Sequence, residues 1–595
     1  MTTRNADIAA AAKARCSAPL SNSHIMKCER TLRVGFFFDG FARHLLKDMQ
    51  TGRVSNIGKL YMAHPDKEVD DESTNYRRAY LSGLGEDFNS DLTLTANAAM
   101  DTFGGKASEV PEGVLKDQAT ELYKDLLNWK APWERLTRDI GDLFKSPFNA
   151  ARSLKDAAIQ SGMEVLPGVR DSKFFAQLFK TGVNIRIDGA IDFLNDEINK
   201  IDVPGKPRLK RIELSVYGFD FGAILARDFL ARVIKRGLTK KDGTVTYYGE
   251  IELVITFAGM FDAVNRSSAY VWGLEEAQPL SSAVGDDRSL PPEVRQALHL
   301  VAAHERRFYR RSHLLASNNP NWREEFMPGI SEDVGGSLLP DEQRPSSELA
   351  LVSLHRMYRA AFRAGVPFLH LEDLHAKDAD TAALFTFNDH IQGKSADALS
   401  KHYQQAAKSS TAQLKNLNLG HEAAFLGHTR LYIRWLAAQW HDYQQRIHAL
   451  GDEEDRLHAS QFQQGTGWFG GSTESADAKA RRQQRTAAIK AEAEALTTEY
   501  GWLEEVDKEA RSIQANLSVH GTAAAGNQQQ LHIWQVLLDE EWLKAKPWPL
   551  PNEVSWLFEH FVHDKLALNA VQRGLNSVTG QNYFDIRGFD TAQAS

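Results

Sequence analysis

Short unbroken apolar runs alternate with helical patterns through the first part of the chain, and helical periodicity dominates the rest. Leu32–Phe38 (LRVGFFF) is too short and too uniformly apolar for a surface helix, which predicts a buried strand ending at Asp39-Gly40. Residues 54–63 (VSNIGKLYMA) read as a helix, and Tyr80–Gly85 as a short strand and turn. From about 86 to 205 helical patterns and polar loops predict a long insertion between core strands. Core signals return as the strand Ile212–Tyr217 and the helix Ala223–Leu230, then as the strand 251–262 (IELVITFAGMFD), which ends at Asp262. Repeated strand–loop–helix units with mostly apolar, buried strands predict an α/β fold built on a mostly parallel sheet. The expected organisation is a loose leader over 1–30, an α/β core over 31–345 closed by 326–339 (FMPGISEDVGGSLL), and a helical C-terminal domain over 346–595. That last domain contains a glycine-rich loop at 465–475 and a charged Ala/Glu-rich stretch at 476–513, the latter expected to be solvated scaffolding.

Gly218-Phe219-Asp220-Phe221-Gly222 joins the 212–217 strand to its helix. The spacing is that of a nucleophile elbow, Gly-x-Ser-x-Gly, in which small residues let the backbone turn sharply and present the central side chain. Here the central residue is Asp220. Aspartate can itself attack, as it does at saturated carbon in epoxide and halide chemistry. On an ester carbonyl it would form a mixed anhydride, which still needs an activated water, and its charge would oppose that of an oxyanion beside it. Aspartate is also a residue that tolerates the strained backbone of such a turn.

Seven motifs occur in a fixed order: FFFDG (Phe36–Gly40), SNIGKLY (Ser55–Tyr61), YGFDFGAILAR (Tyr217–Arg227), FAGMFDAV (Phe257–Val264), HLVAAHERR (His299–Arg307), PGISEDVGG (Pro328–Gly336) and LHRMYRAAFRAGVPF (Leu354–Phe368). Through them the chain, over roughly 31–370, resembles α/β-hydrolase-like phospholipase effectors of bacterial type VI secretion systems. Weaker echoes are LYIRW (Leu431–Trp435) and FVHDK (Phe561–Lys565). In that family the elbow usually reads Gly-Phe-Ser-Arg-Gly, and the PGISEDVGG motif usually carries the base histidine where Ser331 stands, followed here by Glu332. The resemblance thus implies catalytic slots at Asp220, Asp262 (the acid) and Ser331. It implies an oxyanion-hole loop around Asp39, Gly40 and Phe41, with Phe221 following the elbow; Gly218 and Gly222 frame that elbow. The loop's usual continuation, Thr-Gly-Asn-Asn, is here Phe41-Ala42-Arg43-His44.

With serine and histidine both replaced, the leading expectation is a degenerate lipase that acts by binding. The alternative is an active hydrolase using Asp220 or a rerouted site, with His563 or His304 as substitute base; His355 and His370 are further candidates. Four carboxylates, Asp39, Asp220, Asp262 and Asp333, are expected near the carboxyl ends of core strands, where a hard cation such as Ca²⁺ or Mg²⁺ could bridge them, although loop-holding roles explain them without a cofactor.

The family resemblance also implies a spike-protein carrier, an immunity protein and a phospholipid or membrane target, with passage from the bacterial cytoplasm to the periplasm of a target cell. The first 19 residues lack the apolar core of a signal peptide, and no apolar run reaches the roughly 18–20 residues of a transmembrane helix. The net charge of −8 and the lack of a basic stripe argue against nucleic acid. The two cysteines, Cys16 and Cys28, allow no disulfide framework beyond one pair. Between 129 and 148, Trp129, Trp133, Leu136, Ile140, Leu143, Phe144 and Phe148 recur at helical spacing, as a core-packing face or a lipid-facing lid.

Overall fold

The structure is a computed structural model. It describes residues 2–16, 29–66, 73–84, 173–204, 207–239, 245–264 apart from 248, and 290–414 apart from 308–309, 316 and 341. It also describes 422–463, 475–514, 537–544, 548–565, 583–584, 587 and 589–591. The 129–148 stripe, nearly all of the glycine-rich loop and most of the 86–205 insertion lie outside these residues.

Six parallel strands form the core sheet in the order β2-β1-β3-β6-β7-β9. They are β1 (Arg30–Phe38), β2 (Thr74–Leu81), β3 (Leu209–Phe219), β6 (Ile251–Phe261), β7 (Ala297–Ala302) and β9 (Trp322–Met327). The short strands β4 (Leu238–Thr239) and β5 (Val245–Tyr247) add an antiparallel hairpin beside the start of β6. A separate short strand, β8 (Ser312–Leu314), pairs in parallel with Phe589–Thr591 near the C-terminus. The mostly parallel α/β reading of the sequence is what the sheet presents.

Alternation along β1 divides the core. Val34, Phe36 and Phe38 join one apolar cluster with helices α4 (Lys173–Ile201) and α5 (Phe221–Arg236). Phe37 joins the other, with α3 (Asn56–Ala63) and α7 (Leu349–Arg363). In β6 the pairing with β3 slips between Leu214 and Ser215, so that Thr256 is an extra residue. Such a bulge reverses the facing of everything after it. Ile255 therefore lies in one cluster and Phe257, two residues on, in the other. The chain order along the sheet reverses at β1 and β3, and crevices at the carboxyl ends of such strands are where α/β sheets bind ligands.

Three boundaries differ from the sequence expectation. Within the leader expected to be loose, Thr2–Cys16 forms helix α1, whose Asp7 pairs with Arg359 (2.9 Å) and Arg363 (2.5 Å) of α7. The core does not end near 345, because α7 buries Leu354, Met357 and Ala361 in the same cluster as Phe257 and Leu298. The chain instead divides into one unit of residues 1–404, 559–579 and 586–595 and another of 405–558 with 580–585. The C-terminal end thus returns to the sheet-bearing unit.

The second unit is helical, with helices Glu422–Gln463, Ala476–Tyr500 and Leu503–Gln514. Trp435 and Trp440 are buried, and Arg430 and Arg434 both pair with the buried Glu541. Among the described residues, no helix is long and apolar enough to cross a membrane.

One buried amide ties α3 to the motif at 328–336. Asn56 Nδ2 donates to the carbonyls of Val334 (2.9 Å) and Ala350 (2.8 Å). Asn56→Ala leaves two buried acceptors without their donor and is expected to cost about 2–3 kcal/mol, read as a lower urea midpoint with an unchanged slope.

Candidate functional site

Asp220 stands at the apex between β3 and α5 with φ 53° and ψ −126°, a strained conformation for a residue other than glycine. The turn is held from three sides. Asp220 N donates to Phe261 O (3.0 Å), and Asp220 O accepts from Ala223 N (3.1 Å) and Val264 N (3.2 Å). The two frame glycines are required by close approach. A Cβ on Gly218 would lie 2.3 Å from Ala223 Cα, and one on Gly222 would lie 2.3 Å from Asp39 O. The backbone is therefore a sharp, strained strand-to-helix turn with a carboxylate at its apex.

Across the switch point, the loop after β1 supplies the neighbouring donor. Phe41 N donates to Asp220 Oδ2 (3.3 Å). In elbow enzymes an amide from this loop and the amide after the apex hold the tetrahedral oxyanion. Here the carboxylate of the apex residue already engages the loop amide.

The loop itself is fixed by Asp39, whose buried carboxylate accepts from Gly40 N (2.7 Å), Ser55 Oγ (2.7 Å) and Tyr80 Oη (2.6 Å). Burial pushes the Asp39 carboxyl up, against the opposing pull of those three donors. Gly83 packs so tightly on the loop that a Cβ there would meet Gly40 O at 1.6 Å.

Asp262 follows β6 with φ 41° and is fully buried. It accepts Ala302 N (3.0 Å), and Arg587 grips it with a two-pronged bond at 2.9 and 2.6 Å. The Arg587 guanidinium outweighs burial and holds the Asp262 carboxyl below the usual carboxylate range. Ser331 Oγ faces the same carboxylate and adds to that lowering without completing a full hydrogen bond. Beneath the turn, His299 Nε2 accepts Ala263 N (3.0 Å) while Nδ1 donates to Glu324 (2.7 Å). Asp262 is thus paired with an arginine rather than an imidazole.

The candidate substitute bases have other partners. His304 is bonded on both ring nitrogens, to Gly329 N (2.8 Å) and Tyr403 Oη (3.1 Å), which is a structural role. His563 Nδ1 meets Asp333 Oδ1 at 2.6 Å, and Asp333 Oδ2 accepts both Ile330 N (2.9 Å) and His563 N (3.0 Å). His355 bonds the carbonyl of Phe385 (2.6 Å), and His370 stands at the N-terminal boundary of the helix Leu371–Lys377 without a side-chain cap bond. Glu332, next to Ser331, is paired with Arg307 (2.8 Å) and Arg310 (3.1 Å), which together hold it well below its usual range against burial.

The four carboxylates expected from sequence to share a cation each have a separate partner. Asp39 is committed to hydroxyls, Asp262 to Arg587 and Asp333 to His563, while Asp220 takes the Phe41 amide. Among the described residues, no three His, Cys, Asp or Glu side chains are grouped as a metal ion would require. Sequence reasoning passed over Arg587 and His299. The spacing of His299 and Glu324, on strands that pair side by side, was the available signal for the latter.

Residues 212–360, which contain the elbow, Asp262 and Ser331, match the family model of the type VI secretion phospholipase effector Tle1-like catalytic domain. That segment is thus similar to the Tle1-like phospholipase effector catalytic domain over about a quarter of the chain. Comparison with curated proteins returns no match. Two solved structures are similar to the chain. An uncharacterised protein from Pseudomonas aeruginosa is 16% identical, with 96% of this chain and 81% of that chain covered and a TM-score of 0.42. The Tle1 effector bound to the VgrG spike of the type 6 secretion system is 16% identical, with 54% and 56% covered and a TM-score of 0.26.

The helix after the β1 loop, α2 (Leu45–Thr51), carries a buried acid with a measurable consequence. Asp48 accepts His44 N (3.1 Å) and lies 3.7 Å from Arg43 and 4.0 Å from Arg53. Burial nevertheless pushes its carboxyl up to about 7. Its contribution to stability is thus fully present below the unfolded value and lost as pH rises through about 7. Asp48→Asn should remove that loss, so the gap between urea midpoints at pH 5 and pH 8 should narrow relative to the unmodified chain.

Proposed function

We propose that this protein is a type VI phospholipase-effector-like protein with a degenerate lipase site, acting by binding a membrane, another effector or a secretion component, with little ester hydrolysis. The observation that carries the reading is the bond from Phe41 N to Asp220 Oδ2 at 3.3 Å. A serine apex would leave that donor to the developing oxyanion, whereas the carboxylate both uses the donor and repels the charge. Two further facts support it: Ser331 lacks an imidazole, and Asp262 is committed to Arg587. By analogy with the matched family, a spike protein is the proposed carrier, and an immunity protein the proposed cognate partner. The proposed route runs from the producing cytoplasm to a target-cell periplasm.

A second reading, a rerouted hydrolase, is favoured by His563 alone. Its Nδ1 is oriented by Asp333, as in a catalytic base, and its Nε2 has no partner among the described residues. Both His563 and Asp333 are almost wholly buried, which leaves little room for substrate or attacking water.

Fatty-acid release from mixed phosphatidylethanolamine and phosphatidylglycerol vesicles separates the two. The expected result is release at the rate of buffer, unchanged in Asp220→Ala. Enzyme-like release that disappears in both Asp220→Ala and His563→Ala would establish the rerouted hydrolase instead.

A further inference from the structure

The end of the chain returns to the sheet-bearing unit at two adjacent points. Arg587 is fully buried, donates twice to Asp262 and once more, through Nη2, to Ala302 O (3.0 Å). Two residues later, Phe589–Thr591 pairs in parallel with Ser312–Leu314 of β8. That strand is itself tied to the acid turn, since His313 N donates to Ala263 O (2.8 Å) and Val264 bridges Ser312. The Asp262 turn and β8 thus make one surface, and one short stretch of the C-terminal end covers it with a charge and a strand edge.

We propose that the Asp262 turn and β8 form the docking site of the chain's own Arg587-bearing C-terminal segment, and that Arg587 is the clasp that holds it there. The charge balance explains why an arginine is used. A fully buried carboxylate with no partner is costly, and an arginine fork supplies a full opposite charge with two aligned donors. A strand of three residues adds too little pairing to hold a chain end by itself. The ion pair and the strand therefore depend on each other: loss of Arg587 frees the strand, and departure of the strand returns Asp262 to solvent. The clasp is independent of whether the chain hydrolyses lipid, because it concerns the closure of the segment and not the chemistry at Asp220.

The test is amide hydrogen exchange of Phe589–Thr591 in the full chain. Arg587→Leu should raise exchange there by roughly 100-fold or more, from the energy of breaking a buried pair. Arg587→Lys keeps the charge without the fork and should give a smaller rise. The double variant Asp262→Asn/Arg587→Leu removes both charges, so its thermal midpoint should fall less than the sum of the two single losses. If Arg587→Leu unfolds the chain, Arg587→Lys carries the exchange measurement instead. Unchanged exchange at Phe589–Thr591 in both arginine variants, or strictly additive midpoint losses, would overturn the clasp.

Discussion

A negative charge at the apex of the β3–α5 turn must be held by donors that remain inside the fold, and this requirement shapes the region around it. Asp220 is almost fully buried on a backbone that disfavours any side chain, and the loop after β1 contributes an amide to its carboxylate. That loop is in turn anchored by Asp39, Ser55 and Tyr80 and pressed by Gly83. The Phe41 amide of that loop is thus taken up by the apex carboxylate. The turn's glycines and backbone hydrogen bonds belong to the junction of β1, β3 and β6.

The same rule organises the other buried charges. Asp262 has Arg587, Asp333 has His563, and Glu332 has Arg307 and Arg310. Buried carboxylates that carry dedicated partners are stable one by one and have no need to share a cation. They also bind distant parts of the sequence together, since His563 and Arg587 come from the end of the chain. Catalysis of acyl transfer needs something different: a nucleophile, a base and an acid in one hydrogen-bonded line. Here Asp262 is paired with the Arg587 guanidinium, and the neighbouring Ser331 offers a hydroxyl and no imidazole.

The legible part of the fold was the part set by local pattern. The mostly apolar runs at 32–38, 212–217 and 251–262 are strands of the parallel sheet, and Gly218–Gly222 makes a sharp strand-to-helix turn. What the pattern could not give was set by long-range partnership. The Ala-rich start looked featureless because α1 is fixed by two arginines more than 350 residues away. The helix at 349–363 looked like the start of another domain, because its apolar stripe does not say which surface it covers. The four aspartates looked like one site because sequence places them all at strand ends, while their separate donors emerge only in three dimensions. Arg587 carried no local signal at all.

The central claim is that the Asp220 carboxylate occupies the place of an oxyanion. Calorimetric titration with a soluble alkylphosphonate, a mimic of the tetrahedral state, tests it most directly when the unmodified chain is compared with Asp220→Gly. The account predicts no binding to the unmodified chain and saturable binding to the variant, whose Phe41 amide is released. Saturable binding of the phosphonate to the unmodified chain, unchanged in Asp220→Gly, would contradict it.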